Sequence, residues 1–119
     1  MVTRCIRRER WSSFAEELIG RHRGWIVQME IFDSSRGIRQ HADRSPLHEV
    51  MIDMRDDEGT LFLSVGDDTG RLSHWVNRLR SVWFESTDDG LPGALEIETE
   101  FGERTIVRFE RVPPSRQLH

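Results

Sequence analysis

The stretch PLHEVMIDMRDDEGTLFLSVG, Pro46 to Gly66, decides the fold of this chain. Two apolar-alternating runs flank the tight acidic turn Asp56-Asp57-Glu58-Gly59, the pattern of a β-hairpin. Val50, Ile52 and Met54 share one face of its first strand; Leu47, Glu49, Met51, Asp53 and Arg55 share the other. In the second strand Leu61, Leu63 and Val65 alternate with Thr60, Phe62 and Ser64. Glu58-Gly59 supplies the turn, because glycine reaches the positive φ that short hairpin loops need.

Upstream, Trp11, Phe14, Ala15, Leu18 and Ile19 fall at i, i+3, i+4, i+7 and i+8, one apolar stripe of a helix. Ser12 or Ser13 could cap a late start, and Gly20 or Gly24 ends it. So short a helix is not stable alone in water, and its stripe must dock on a sheet. Trp25 to Phe32 follows as a strand with Trp25, Val27, Met29 and Ile31 on one face. A turn over Asp33-Ser34-Ser35-Arg36-Gly37 leads to a short strand, Ile38–Ala42. Asp43-Arg44-Ser45-Pro46 then separates that strand from the hairpin.

Downstream, the acidic loop Gly66-Asp67-Asp68-Thr69-Gly70 precedes strands over Arg71–Val76 and Ser81–Ser86. Leu72, Trp75, Val76 and Leu79 also fit one helical turn, a rival reading for the segment between them. After the loop Thr87–Gly93, the pair Ala94–Thr99 and Arg104–Arg111 closes across Phe101-Gly102, with Leu95, Ile97, Val107 and Phe109 inward. The expected fold is α+β: an N-terminal helix packed on a curved antiparallel sheet of about five to seven short strands, a half-barrel or small barrel. It is read as a single domain over 1–119, with 1–7 and 112–119 as frayed termini.

The totals fit that picture. A chain of 119 residues can bury one core, and 36% hydrophobic with 32% charged residues describes a polar, soluble protein. No apolar run reaches the roughly 18 residues of a membrane span. The start, MVTRCIRRER, lacks the apolar stretch of a secretory signal, and a lone Cys5 fits a reducing cytoplasm. All 17 basic residues are arginine, and Tyr is absent. The net charge of −4 speaks against a nucleic-acid partner, which calls for cations concentrated on one face.

Several residues fall in an order that resembles a known family. Trp11 and Phe14 in the helix, His22-Arg23-Gly24-Trp25 into the first strand, and Pro46-Leu47 opening the hairpin begin it. Asp53 and Asp57 at the turn, His74 after the acidic loop, and Gly102, Val107 and Phe109 in the last strand pair complete it. From about Trp11 to Phe109 the chain resembles a bacterial family catalogued only as domain of unknown function 5335. One departure is Leu79, which stands where the family pattern has a proline. The resemblance implies the one-domain α+β fold; it implies no activity, substrate or cofactor.

Candidate chemistry is sparse. The pairs Asp56-Asp57, Asp67-Asp68 and Asp88-Asp89 lack the alternating ligand spacing of a calcium loop and are read as turn residues. His22, His41, His48, His74 and His119 show neither the i, i+4 pairing nor the cysteine partners of a metal site. His41 and His48 flank the Pro46 turn and could approach each other, and His74 with Asp67 or Asp68 is a conceivable acid–base pair. No nucleophile elbow or phosphate loop is present. Trp75 and Trp83, with His74, Arg78 and Arg80, are the residues from which a binding patch could be built, apolar at the centre and rimmed by cations.

The expectation is therefore a non-enzymatic protein-interaction or ligand-binding module, with a protein partner or a second copy of the chain, and without cofactor, metal or membrane. The alternatives are an Sm-like nucleic-acid-binding module, using the arginines at 78, 80, 104, 108 and 111, and a small metal- or His-dependent enzyme using His74, His48 or the acidic loops.

Overall fold

The computed structural model describes residues 1–33 and 37–110. The expected turn at Ser34-Ser35-Arg36, Arg111, His119 and the tail 112–119 lie outside those residues. The elements are β1 (Val2–Cys5), a 3-10 turn (Arg8–Arg10), α1 (Trp11–His22), β2 (Ile26–Asp33), β3 (Gly37–Asp53), β4 (Thr60–Asp67), β5 (Gly70–Asn77), β6 (Leu79–Ser86), β7 (Pro92–Thr99) and β8 (Arg104–Phe109). All eight strands belong to one antiparallel sheet in the order β1-β6-β7-β8-β2-β3-β4-β5.

The α+β architecture and the N-terminal helix are as the sequence implies, but the sheet holds eight strands rather than five to seven. Two of the differences have simple causes. Residues expected to fray form β1, whose Val2–Cys5 backbone pairs with Trp83–Ser86 of β6. Backbone pairing needs no apolar side chain, and all four residues of β1 are exposed, so no hydrophobic pattern marks it. The short strand at Ile38 and the first hairpin strand are one 17-residue element, β3, and not two short ones. Its first part pairs with β2 up to Pro46, and from Leu47 onward it pairs with β4. Pro46 is tolerated because the ladder changes partner there.

That change of partner also corrects one face assignment. Leu47 is buried together with Val50 and Ile52, because the register shifts between Leu47 and Glu49. A bulge adds one residue and turns Leu47 to the inner face. The remainder of the hairpin follows the alternation: Leu61, Leu63 and Val65 are buried, and Asp57 and Gly59 take positive φ in the turn.

The helix begins without a side-chain cap, so neither Ser12 nor Ser13 serves; the 3-10 turn leads straight into it. Gly24, at φ 91°, redirects the chain after His22, and its N–H donates to the Leu47 carbonyl at 2.8 Å. Trp11, Ala15, Leu18 and Ile19 are buried, and the stripe packs on β3 and against Phe84 and Phe109 of the sheet. Trp11 anchors this end. Its indole N–H donates to the Ile6 carbonyl at 2.9 Å, its ring lies under Gly59, and the Arg8 guanidinium sits 4.9 Å above it.

No helical turn forms at Leu79. Arg78 takes φ 57° and joins β5 directly to β6. These strands lie near opposite ends of the sheet, so the sheet must roll until its two ends meet at one residue. The inner faces then oppose each other, with His74 of β5 reaching Thr105 of β8 at 3.3 Å (Nε2 to Oγ1). α1 packs on β3 at the inner side of the roll.

Two glycines test this packing from opposite sides. A Cβ on Gly66 (φ 115°) would run into the Gly70 carbonyl oxygen and lie 2.9 Å from the Arg71 Cα; at Gly20, inside α1, it would meet nothing. Denaturant unfolding should show Gly66→Ala losing roughly 2–5 kcal/mol through strain and overpacking. Gly20→Ala should gain roughly 0.5–1 kcal/mol through helix propensity.

Candidate functional site

Residues that alternate inward along β3, β4 and β5 fill the core, so their neighbours form an outer face. In the ladder Met51 lies opposite Phe62, and Phe62 opposite Trp75, giving one apolar row across three strands. Met51 is 47% and Trp75 60% exposed, and the Phe62 and Trp75 rings pack with centroids 4.5 Å apart. Polar rows bound it: Glu49, Ser64 and Ser73 on one side, Asp53, Thr60 and Asn77 on the other. β5 ends the sheet, and among the described residues its far edge has no ladder partner.

The five residues singled out from sequence are distributed over this surface and away from it. His74 and Trp75 are neighbours in β5 and therefore lie on opposite faces: His74 turns inward to Thr105, Trp75 outward. Trp83 is also outward and 40% exposed, but on another row, between Cys5 of β1 and Glu96 of β7. Arg78 sits at the corner, ion-paired to Glu100 (2.9 Å) and Glu58 (3.5 Å) and 5.6 Å from the Phe101 ring. Arg80 is exposed at the bulge that follows Leu79.

The arginines considered for nucleic acid are largely matched by carboxylates. Arg104 pairs with Glu96 at 2.7 Å, Arg108 with Glu30, and Arg78 as above. The acidic loops are occupied as turns: Asp56 accepts the Glu58 N–H at 3.1 Å, and Asp67 accepts the Thr69 N–H at 2.9 Å. The Asp67 carboxyl is held below its usual range by the Thr69 hydroxyl and backbone. Among the described residues no three His, Cys, Asp or Glu side chains gather as metal ligands, and no helix is long and apolar enough to cross a membrane. The side chain of His41 lies outside the described residues, so its approach to His48 is not part of this geometry.

A second feature escaped the sequence. A cavity of about 370 Å³ opens between the C-terminal half of α1, the end of β6 and the loop Gly90-Leu91-Pro92. Phe14, His22, Trp25 and Phe84 wall it. Phe14 meets Phe84 edge-on with centroids 5.4 Å apart, and His22 meets Trp25 edge-on at 5.0 Å. Arg4, Glu17 and Arg21 also line it. The spacing Phe14, Leu18, Arg21, His22 places these residues along one side of the helix, a signal hidden because Trp25 reads simply as an inner-face strand residue. Three of these residues were in the family pattern and none was singled out for binding.

His22 is half-buried, and its Nδ1 donates to the Leu18 carbonyl at 2.9 Å. Burial lowers its pKa below the usual 6.5; the Leu18 bond opposes this and Arg21 adds to it. The sign is fixed by linkage. The unfolded chain binds the proton more readily, so the contribution of His22 is complete above about 6.5 and is lost as pH falls below it. Unfolding midpoints should therefore drop as the solution is acidified from neutrality to about pH 5, with His22→Gln flattening that slope.

A relative from Aquifex aeolicus (strain VF5), described as an uncharacterized protein, is 25% identical over 114 residues, which cover 96% of this chain and 97% of the relative. No solved structure matches the chain. The family model described as a family of unknown function, DUF5335, matches residues 2–117, and the chain belongs to that family.

Proposed function

We propose that this chain is a non-enzymatic protein-interaction domain of the cytoplasm, that it docks through the outer row Met51, Phe62 and Trp75 and the adjoining edge of β5, and that its partner is a second copy of itself. The observation that carries this reading is an edge left unguarded among the described residues. Sheet edges are normally blunted by charge, proline, bulges or short length. β1 is only four residues long and bears Arg4, whereas β5 runs eight residues without a register shift. Its centre, Leu72-Ser73-His74-Trp75-Val76, carries no Lys, Arg, Asp, Glu or Pro.

The same five residues are compatible with their own copy. Antiparallel pairing about His74 sets Leu72 opposite Val76 of the second copy, and Ser73 opposite its Trp75. Apolar residues then meet on the inner face, and on the outer face each Trp75 lies against Ser73 of the other copy, so that the two tryptophans become diagonal neighbours across the junction. Exposed tryptophan is the side-chain type most enriched among interface anchors.

Light scattering across a concentration series should show a monomer–dimer equilibrium. The double variant Ser73→Lys/Trp75→Lys places like charges opposite one another and should be monomeric at every concentration, with thermal unfolding lowered only by the loss of the Trp75 ring from Phe62, about 0.5–1.5 kcal/mol. Wild-type protein that stays monomeric at the highest attainable concentration overturns the reading.

A further inference from the structure

We infer that the cavity walled by Phe14, His22, Trp25 and Phe84 is a binding site for a small aromatic carboxylate, with the ring among the aromatic walls and the carboxylate at Arg4 and Arg21. The site is separate from the β5 edge and does not depend on the function proposed there. Its volume, about 370 Å³, lies at the lower end of the range of small-molecule pockets, suited to one ring system and a short acid arm. Four aromatic side chains already in edge-on pairs present faces and edges to a planar guest, the arrangement in which such rings attract.

The charge at the mouth selects the sign of the ligand. Of the arginines whose side chains are described, Arg4, Arg21 and Arg80 make neither an ion pair nor a side-chain hydrogen bond, and two of these three line the cavity. Arg4 comes from β1, where its backbone partner is Phe84, and Arg21 from the last turn of α1. Two guanidinium groups from different elements therefore stand unmatched beside an aromatic hollow, and a carboxylate accepts from such forks in pairs.

The other facing groups are consistent with an anion. Among the described residues Glu17 is the one acid in the lining, and it already lies 3.9 Å from Arg10. The remaining titratable group is His22, whose Nδ1 is committed to Leu18; the loop contributes Gly90, Leu91 and Pro92, which are uncharged. The carbonyl end of α1 would oppose an anion, but two of its last four carbonyls are occupied, Ile19 by the Arg23 N–H and His22 by the Trp25 N–H, both at 3.0 Å. With His22 neutral, the lining carries one net positive charge.

The test uses benzoate, with benzyl alcohol and benzylamine as neutral and cationic counterparts, followed by NMR of the Trp25 indole and His22 ring in the Ser73→Lys/Trp75→Lys background. That background keeps any failure here distinguishable from failure of the dimer. Benzoate should give saturable shifts confined to Trp25, His22 and the Gly90–Pro92 loop, and should raise the His22 pKa as the anion binds. Arg4→Ala and Arg21→Ala should each weaken binding by about tenfold, the loss of one charge-assisted hydrogen bond, and Glu17→Gln should tighten it. All three side chains are exposed, so unchanged shifts elsewhere verify the fold. Absence of saturable shifts, equal binding of benzyl alcohol or benzylamine, or indifference to both arginine substitutions overturns the inference.

Discussion

At Arg78 the backbone turns left-handed, φ 57°, and carries the chain from the last strand of the sheet to the one beside its opposite edge. An L-residue adopts that conformation only against steric resistance, so the surroundings must hold it. Glu58 from the hairpin turn and Glu100 from the β7–β8 turn pair with its guanidinium, while the Glu100 N–H donates to its carbonyl at 3.0 Å. Leu79, the next residue, is buried and donates its N–H to the Gly59 carbonyl at 3.2 Å. The corner thus joins three turns. Since one residue spans only a few ångströms, an eight-stranded sheet joined in this way has to roll up.

Rolling sets what each face can do. Inner residues of both halves meet, which is why Leu61, Leu63, Val82 and Ile97 are almost wholly removed from water. α1 packs at the inner side of the roll with Trp11, Ala15, Leu18 and Ile19. A hollow bounded by Phe14, His22, Trp25 and Phe84 remains between it and the end of β6. The two candidate surfaces are therefore consequences of one closure problem: among the described residues, an edge that is not joined and a gap that is not filled.

The outer faces follow a different rule. Around β7 and β8 they are balanced ladders of Arg and Glu, such as Arg104 with Glu96 and Arg108 with Glu30, worth little individually but leaving few uncompensated charges. Across β3, β4 and β5 the centre row is instead Met51, Phe62 and Trp75. A paired surface has little need of a partner, whereas an aligned apolar row is the kind of patch that marks recognition. Both faces share the same alternating pattern in sequence, and only the register reveals which residues become neighbours.

What the sequence by itself determined is local. The stripe from Trp11 to Ile19, the alternation through Val50–Ile52 and Leu61–Val65, and the glycine turns all arise from periodicity and from φ preferences acting over a few residues. They define the helix, most of the strands and the α+β class. Tertiary structure decided the rest. β1 has no apolar pattern and exists because β6 offers an edge; Leu47 turns inward because the ladder shifts; β3 is continuous because its partner changes midway. His74 and Trp75, adjacent in sequence, were separated to opposite faces, while Arg4 and Arg21 were brought to one cavity. Those outcomes depend on which backbone meets which across the roll, a long-range condition that no window of the sequence contains.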